Sequence, residues 1–442
     1  MSAGPRTAGE TGRALRRELG VPLYLNAYAL MLNTVVNSGF GLLYWIVAAH
    51  AFSPAEVGRG SALVSLMLMV SVLTQVNFGQ ALIRFLPRSG AGARGLLLAA
   101  YGISAGVAVL GAGGVMAYCH LALDPGDPLH VSLPFACWFV ASTALWSVFN
   151  LQDSALTGLR AAVWLPLENG VYGLVKLGLL VLVAQTSLAE GVFTSWTLPV
   201  VALLVPVNLL IFRRVLPRHL RDAAPQDRTP SRPVLVRYMA GDYTGQVFTQ
   251  LSSSFLPVLV VVLLGAEQGA YFLPAQTVFV AMTMLSLGIT SSLVVEAAKD
   301  EARAAHYARA VLRRIGVTVL PAAALVALLA PLLLALFGPQ YRANATLLLQ
   351  LLMVSTFPRV VVSLYITMSR LHNRTAALAV LQFVQAVGMI GGTVLLCGPL
   401  GLDAMGWSAL GVELLLAVAV GPRVVAWLRS DRGDRAVPAP VG

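Results

Sequence analysis

The sequence predicts an all-α integral membrane protein: twelve transmembrane helices in two pseudo-symmetric six-helix bundles, with both termini cytoplasmic. Three observations lead there. Of the 442 residues, 57% are hydrophobic and only 11% are charged, with a mean hydropathy of +0.78; a soluble chain carries roughly 25% charged residues. Apolar runs long enough to span a bilayer recur from end to end. The arginines gather in every second interval between those runs.

A helix needs about 20 apolar residues to cross the hydrocarbon layer. Such runs lie near 22–49, 58–86, 95–118, 131–150, 164–185, 193–212, 237–264, 269–296, 315–337, 345–368, 376–397 and 405–428. The first follows Arg6, Arg13, Arg16 and Arg17. It is longer than the roughly 7–15 apolar residues of a signal peptide, so it reads as an uncleaved span. Basic residues fill the tail before it and the intervals at 84–94, 160, 213–237, 299–314, 370–374 and 423–435, while the alternate intervals hold only Arg59 and Arg342. By the positive-inside rule the basic side is cytoplasmic. The organisation that follows is a cytoplasmic tail at 1–21, a first bundle at 22–212, a basic linker at 213–236, a second bundle at 237–428 and a cytoplasmic tail at 429–442.

The net charge of +11 could point to nucleic acid. The arginines, however, sit at the ends of apolar runs rather than among aromatics on one element, so nucleic acid is excluded as a partner. The three cysteines, Cys119, Cys137 and Cys397, are unevenly spaced, and the six histidines are scattered; neither set has metal-ligand spacing. No phosphate-binding loop of the nucleotide-hydrolysing kind is present, and no cofactor is predicted. The outer loops are short and nearly uncharged, which argues against an enzyme such as a membrane glycosyltransferase or polymerase.

The halves share a short repeat. AEVG at 55–58, between spans one and two, matches AEQG at 266–269, between spans seven and eight. The matching topological positions support an internal duplication, an arrangement that in transporters places the site between repeats. Small-residue pairs at Gly102/Gly106 and Gly388/Gly392 read as helix-packing faces.

Polar side chains within apolar runs are the informative ones. Asn26, Asn33 and Asn37 share one face of span one; Gln75, Asn77 and Gln80, followed by Arg84, lie in span two; Asp242, Gln246 and Gln250 form an i, i+4, i+8 stripe in span seven. These stripes are either glue between helices or the lining of a wet cavity. Lys176 stands mid-run in span five, about 18 Å from the inner end at 1.5 Å per residue, too deep to snorkel. It pairs with a carboxylate such as Glu168 or Glu413, or faces water and attracts an anion, or is neutral. Arg359, after Pro358 in span ten, and Glu413 in span twelve pose the same problem.

Several phrases, in order, resemble bacterial polysaccharide flippases of the MATE-like MOP exporter superfamily. They are FSPAEVGRGSALVSL (52–66), FGQALIRFLPR (78–88), LTGLRAAVWLPLENGVYGLVKLGLL (156–180), LFGPQYRANATLLLQLL (336–352) and PLGLDAMGWSAL (399–410). The resemblance implies two helical bundles around a cavity lined chiefly by spans one, two, seven and eight. It implies alternating access that carries a polyprenyl-(pyro)phosphate-linked oligosaccharide across the bacterial cytoplasmic membrane for cell-surface polysaccharide biosynthesis. Under it, Lys176, Arg84, Asn33, Asn37, Gln75, Asn77, Gln80, Gln246, Gln250 and Arg359 are the candidate substrate contacts, and Asp242 and Glu413 the candidate coupling sites for H+ or Na+. Membrane lipids and polysaccharide-assembly proteins are the implied partners. The alternative is an ion-coupled multidrug antiporter of the same fold, which would want buried acids in its cavity.

Overall fold

The computed structural model describes residues 22–186, 188, 190–222, 230–250, 254–297, 304–371 and 374–430. Fifteen α-helices account for nearly all of them, and the described residues contain no strand. In order they are α1 (Pro22–Ala51), α2 (Pro54–Thr74), α3 (Phe78–Phe85), α4 (Ala93–Leu121), α5 (Leu133–Gly158), α6 (Leu165–Val183), α7 (Gly191–Leu210), α8 (Leu216–Asp222), α9 (Arg232–Gln250), α10 (Leu256–Leu264), α11 (Ala266–Ala297), α12 (Ala304–Ala335), α13 (Pro339–Leu371), α14 (Thr375–Leu400) and α15 (Ala404–Ser430). A helix satisfies its own backbone, which hydrocarbon cannot do.

Among the described residues, ten stretches are long and apolar enough to cross a membrane, which makes this a multi-pass membrane protein. The last, Ala377–Arg429, runs through two helices, α14 and α15, joined by a single 3-10 turn at Gly401–Asp403. The segment expected as span seven, 237–264, includes residues 251–253, which lie outside the described residues; α9 precedes them and the apolar α10 follows. The positive φ of Gly265, +90°, lets the chain turn from α10 into α11.

Helix starts are legible locally. Ser53 and Glu56 form a reciprocal cap at the start of α2: the Ser53 amide and hydroxyl both donate to Glu56 Oε2, at 2.9 and 2.7 Å, and Pro54 occupies the first turn. The expected continuous span 58–86 is instead broken. Val76 and Asn77 both adopt positive φ, +47° and +64°, so α2 ends at Thr74 and α3 starts anew at Phe78. Gln75 and Asn77 therefore sit in the break, and Gln80 lies on α3.

The chain divides into two compact units, Met1–Ala51 with Leu66–Tyr243 and Phe52–Ser65 with Thr244–Gly442. In the first unit α1 packs on α6, α4 on α5, and α5 and α6 on α7. Gly173 leaves the room for Phe40 in the α1–α6 contact, since a Cβ there would lie 2.5 Å from the Phe40 ring. In the second unit α13 is central and packs against α11, α12 and α15. The small-residue prediction divides cleanly. Gly388 and Gly392 meet Val412 and Ser408 of α15, whereas Gly102 and Gly106 have no neighbour within 4 Å of where a Cβ would stand. The latter pair, offered as a packing face, packs against nothing described.

The repeat motifs meet. A Cβ built on Gly269 lies 3.6 Å from Cα of Gly58, and one built on Gly58 would lie 1.6 Å from the Ala266 carbonyl oxygen. Gly58 is thus what permits the two backbones to touch, within the second unit, while a Cβ on Gly269 would crowd the Val261 side chain.

Candidate functional site

The ammonium of Lys176 lies in a box of three aromatic rings. Its Nζ is 3.7 Å from the ring centre of Trp196 on α7, 4.8 Å from that of Tyr44 on α1 and 5.0 Å from that of Tyr172 on α6. Such distances are within cation–π range, where the negative face of the ring attracts the charge. The rings are held in place by their polar ends. Tyr44 Oη donates to the Val192 carbonyl at 2.8 Å and lies 2.8 Å from Ser195 Oγ. Tyr172 Oη donates to the Trp196 carbonyl at 2.9 Å. Tyr44 and Trp196 meet edge to face at 5.0 Å, and Trp45 stacks on Trp196 at 5.5 Å. Lys176 is 4% exposed. Of the alternatives left open by the sequence, it takes neither carboxylate: among the described residues it makes no ion pair, and it points into the first unit rather than at lipid.

One aromatic partner was within reach of sequence reasoning. Tyr172 precedes Lys176 by four residues, so the two share a helix face. Tyr44 and Trp196 come from other helices and carried no local signal.

The other deep cation has a partner. Arg359 Nη1 donates to Glu413 Oε1 at 2.7 Å, and Gln385 Nε2 donates to the same oxygen at 2.6 Å. Arg359 is 25% exposed and Glu413 is fully buried. The two groups singled out separately, one as substrate contact and one as coupling site, therefore neutralise each other across α13 and α15. Glu413 Oε2 is buried without a hydrogen bond.

A second titratable cluster lies in the first unit, and it includes Glu168, named above as a possible partner of Lys176. Asn169 Nδ2 of α6 donates to Asp153 Oδ2 of α5 at 3.3 Å. Glu168 is buried with both carboxyl oxygens free of hydrogen bonds, as is the hydroxyl of Tyr101 on α4. Asp153, Glu168 and Tyr101 are close enough to interact electrostatically. Asp153 has one oxygen, Oδ1, buried without a partner.

The predicted polar stripes meet different fates. On α1, Asn26 and Asn33 are half-buried on the side that carries Phe40 and Tyr44, and Asn37 is exposed. Asn26 Nδ2 donates to the Arg160 carbonyl at 3.1 Å, which is a tie between helix ends. Gln75 is buried and donates to Ser71 Oγ at 3.3 Å; Asn77 is buried; Gln80 is exposed. Arg84 is exposed at the end of α3, its guanidinium 4.6 Å from the Tyr238 ring centre and 5.5 Å from that of Phe85. Gln250 donates to Ser254 Oγ at 2.7 Å. The side chains of Asp242 and Gln246 lie outside the described residues. No group of three or more metal-ligating side chains occurs among the described residues.

Solved structures match this architecture over nearly its full length. An inward-facing multidrug resistance MATE family transporter of the MOP superfamily aligns with a TM-score of 0.66 at 15% identity, covering 93% of this chain and 100% of that one. An outward-facing structure of such a transporter aligns at 0.62 and 16% identity, covering 97% and 100%. A MOP superfamily transporter from Pyrococcus furiosus, described as having a binding pocket of reverse polarity that suggests a different function, aligns at 0.61 and 14% identity, also covering 97% and 100%. No family model and no curated protein matches the chain by sequence. The fold is that of MATE transporters.

Proposed function

We propose that this chain is a transporter of the bacterial cytoplasmic membrane that flips a polyprenyl-(pyro)phosphate-linked oligosaccharide by alternating access, for cell-surface polysaccharide biosynthesis. The observation that carries the reading is the charge balance of the deep cations. Arg359 is cancelled by Glu413, whereas Lys176 meets three aromatic faces and no counter-charge among the described residues. An uncancelled cation at depth favours a phosphate-bearing cargo over a cationic drug. The reverse-polarity description of the Pyrococcus furiosus protein is consistent with a fold that serves cargo of either sign. The quoted sequence phrases add to this.

In this proposal exposed Arg84, Gln80 and Asn37 meet the headgroup and its sugar hydroxyls, and Lys176 acts through its field. Twelve spans, with both tails and the 213–236 linker on the cytoplasmic side, complete the topology. Asp242 and Glu413 are the coupling sites, with H+ or Na+ competing against Arg359 for Glu413. Membrane lipids surround the chain, and polysaccharide-assembly proteins hand over its cargo.

The test is Lys176→Met, which keeps the volume and removes the charge. Glycan export is lost while the amount of protein in the membrane is unchanged. Export at the normal level in that variant ends the proposal. A second reading, an ion-coupled multidrug antiporter, draws on the buried Asp153 and Glu168, the acids such a transporter wants, and on the multidrug transporters among the structural matches. Drug resistance on expression, without any effect on export, would favour it.

A further inference from the structure

The first unit holds a cavity of about 590 Å³ that no transport role above uses. Its walls come from separate parts of the chain that converge at the arginine-rich end of the helices. Arg88 closes the turn after α3, Arg160 and Trp164 lie between α5 and α6, and Arg218, His219 and Asp222 lie on α8. Three arginines and one aspartate thus line it. Among the described residues none of the three is in an ion pair, Asp222 included, and His219 Nε2 is buried without a hydrogen-bond partner.

The loop that carries Arg160 is fixed. Arg160 adopts φ +58°, a conformation L-residues rarely take. It is held there by its own amide donating to the Thr157 carbonyl at 3.1 Å, by Ala161 N donating to the Leu156 carbonyl at 2.8 Å, and by the Asn26 bond to its carbonyl. Unpaired guanidiniums on a fixed frame are suited to a tetrahedral oxyanion, which they engage by paired N–H donors. The volume falls within the roughly 300–1,000 Å³ of small-ligand pockets. Trp164, 37% exposed on the cavity wall, is the residue type that settles at headgroup depth.

From this convergence we propose that the cavity binds the phosphate headgroup of an anionic phospholipid of the surrounding bilayer. None of its lining residues is a cargo contact proposed above, and the site does not depend on what the cargo is. Basic pockets among helix ends of membrane proteins are suited to such headgroups. Arginines placed only to orient the chain would not need to converge on a cavity.

The test uses the purified full chain in detergent and native mass spectrometry with phosphatidylglycerol, cardiolipin, phosphatidylcholine or sodium pyrophosphate added. The anionic lipids bind and phosphatidylcholine does not. Arg218→Gln, an exposed position on α8, weakens phosphatidylglycerol binding about fivefold, as does Arg160→Gln. Arg214→Gln removes the same charge from the neighbouring turn, outside the cavity, and changes binding less than about twofold. Should Arg160→Gln fail to fold, Arg218→Gln decides. Equal binding of phosphatidylcholine, or equal loss in Arg214→Gln, overturns the site. Pyrophosphate binding more tightly than the lipids overturns the lipid assignment in favour of a soluble anion.

Discussion

At the residue scale, the deep charges of this protein illustrate two ways to keep an ion out of water. Arg359 and Glu413 use a counter-charge. Breaking such a pair leaves one ion buried alone, which costs more than the pair itself contributes. Arg359→Met should therefore lower stability by on the order of 3 kcal/mol, read as a drop in thermal midpoint in detergent. Replacing both, Arg359→Met with Glu413→Met, should restore most of it. A double variant as unstable as the single one would show that the pair is not what holds α13 to α15 there. Lys176 uses quadrupoles instead. Each ring contributes about 0.5–2 kcal/mol, set against a desolvation cost of several kcal/mol for a buried ion. Of the residues named from sequence, the two paired in space are 54 apart in the chain. The sequence could show that each was buried, since an apolar run is visible locally. It could not show who meets whom.

At the element scale, helix starts, breaks and close approaches were only partly legible. The Ser53–Glu56 cap and Pro54 announce α2. The break at Val76–Asn77 has no such signal, because a valine at positive φ is imposed by surroundings rather than chosen by propensity. The small-residue rule held for Gly388 and Gly392 and failed for Gly102 and Gly106, because it reports the ability to pack and not the presence of a partner. Gly58 is the sharpest case. A Cβ there would collide with the Ala266 carbonyl, and a backbone oxygen cannot swing aside. Gly58→Ala should abolish a monodisperse peak in size-exclusion chromatography, while Gly106→Ala, with open space around it, should leave yield and elution unchanged. Equal tolerance of both would remove the α2–α11 approach as a structural requirement.

At the scale of the whole molecule, the alternation of basic intervals predicts the side on which each end lies. A fluorescent protein that folds only in the cytoplasm, fused after Gly442, should be bright, and a periplasm-dependent phosphatase at the same place inactive. The opposite pattern would overturn the predicted cytoplasmic side of the C-terminal tail, through either an inverted orientation or an odd number of spans. The chain passes from one compact unit to the other at Tyr243/Thr244, shortly after the linker expected at 213–236, whereas the membership of Phe52–Ser65 in the second unit, which splits α2 between both, carried no sequence signal.

Much was settled by the amino-acid order alone: that the chain is helical, that it lives in a bilayer, and roughly where each helix runs. Hydrocarbon offers the backbone no hydrogen-bond partner, so every apolar run must satisfy itself, and that requirement is local. Tertiary structure alone decided what the polar minority does. It gave Lys176 to Tyr44, Tyr172 and Trp196, gave Arg359 to Glu413, and drew Arg88, Arg160 and Arg218 around one cavity. Those choices depend on distances between helices, and no stretch of sequence contains them.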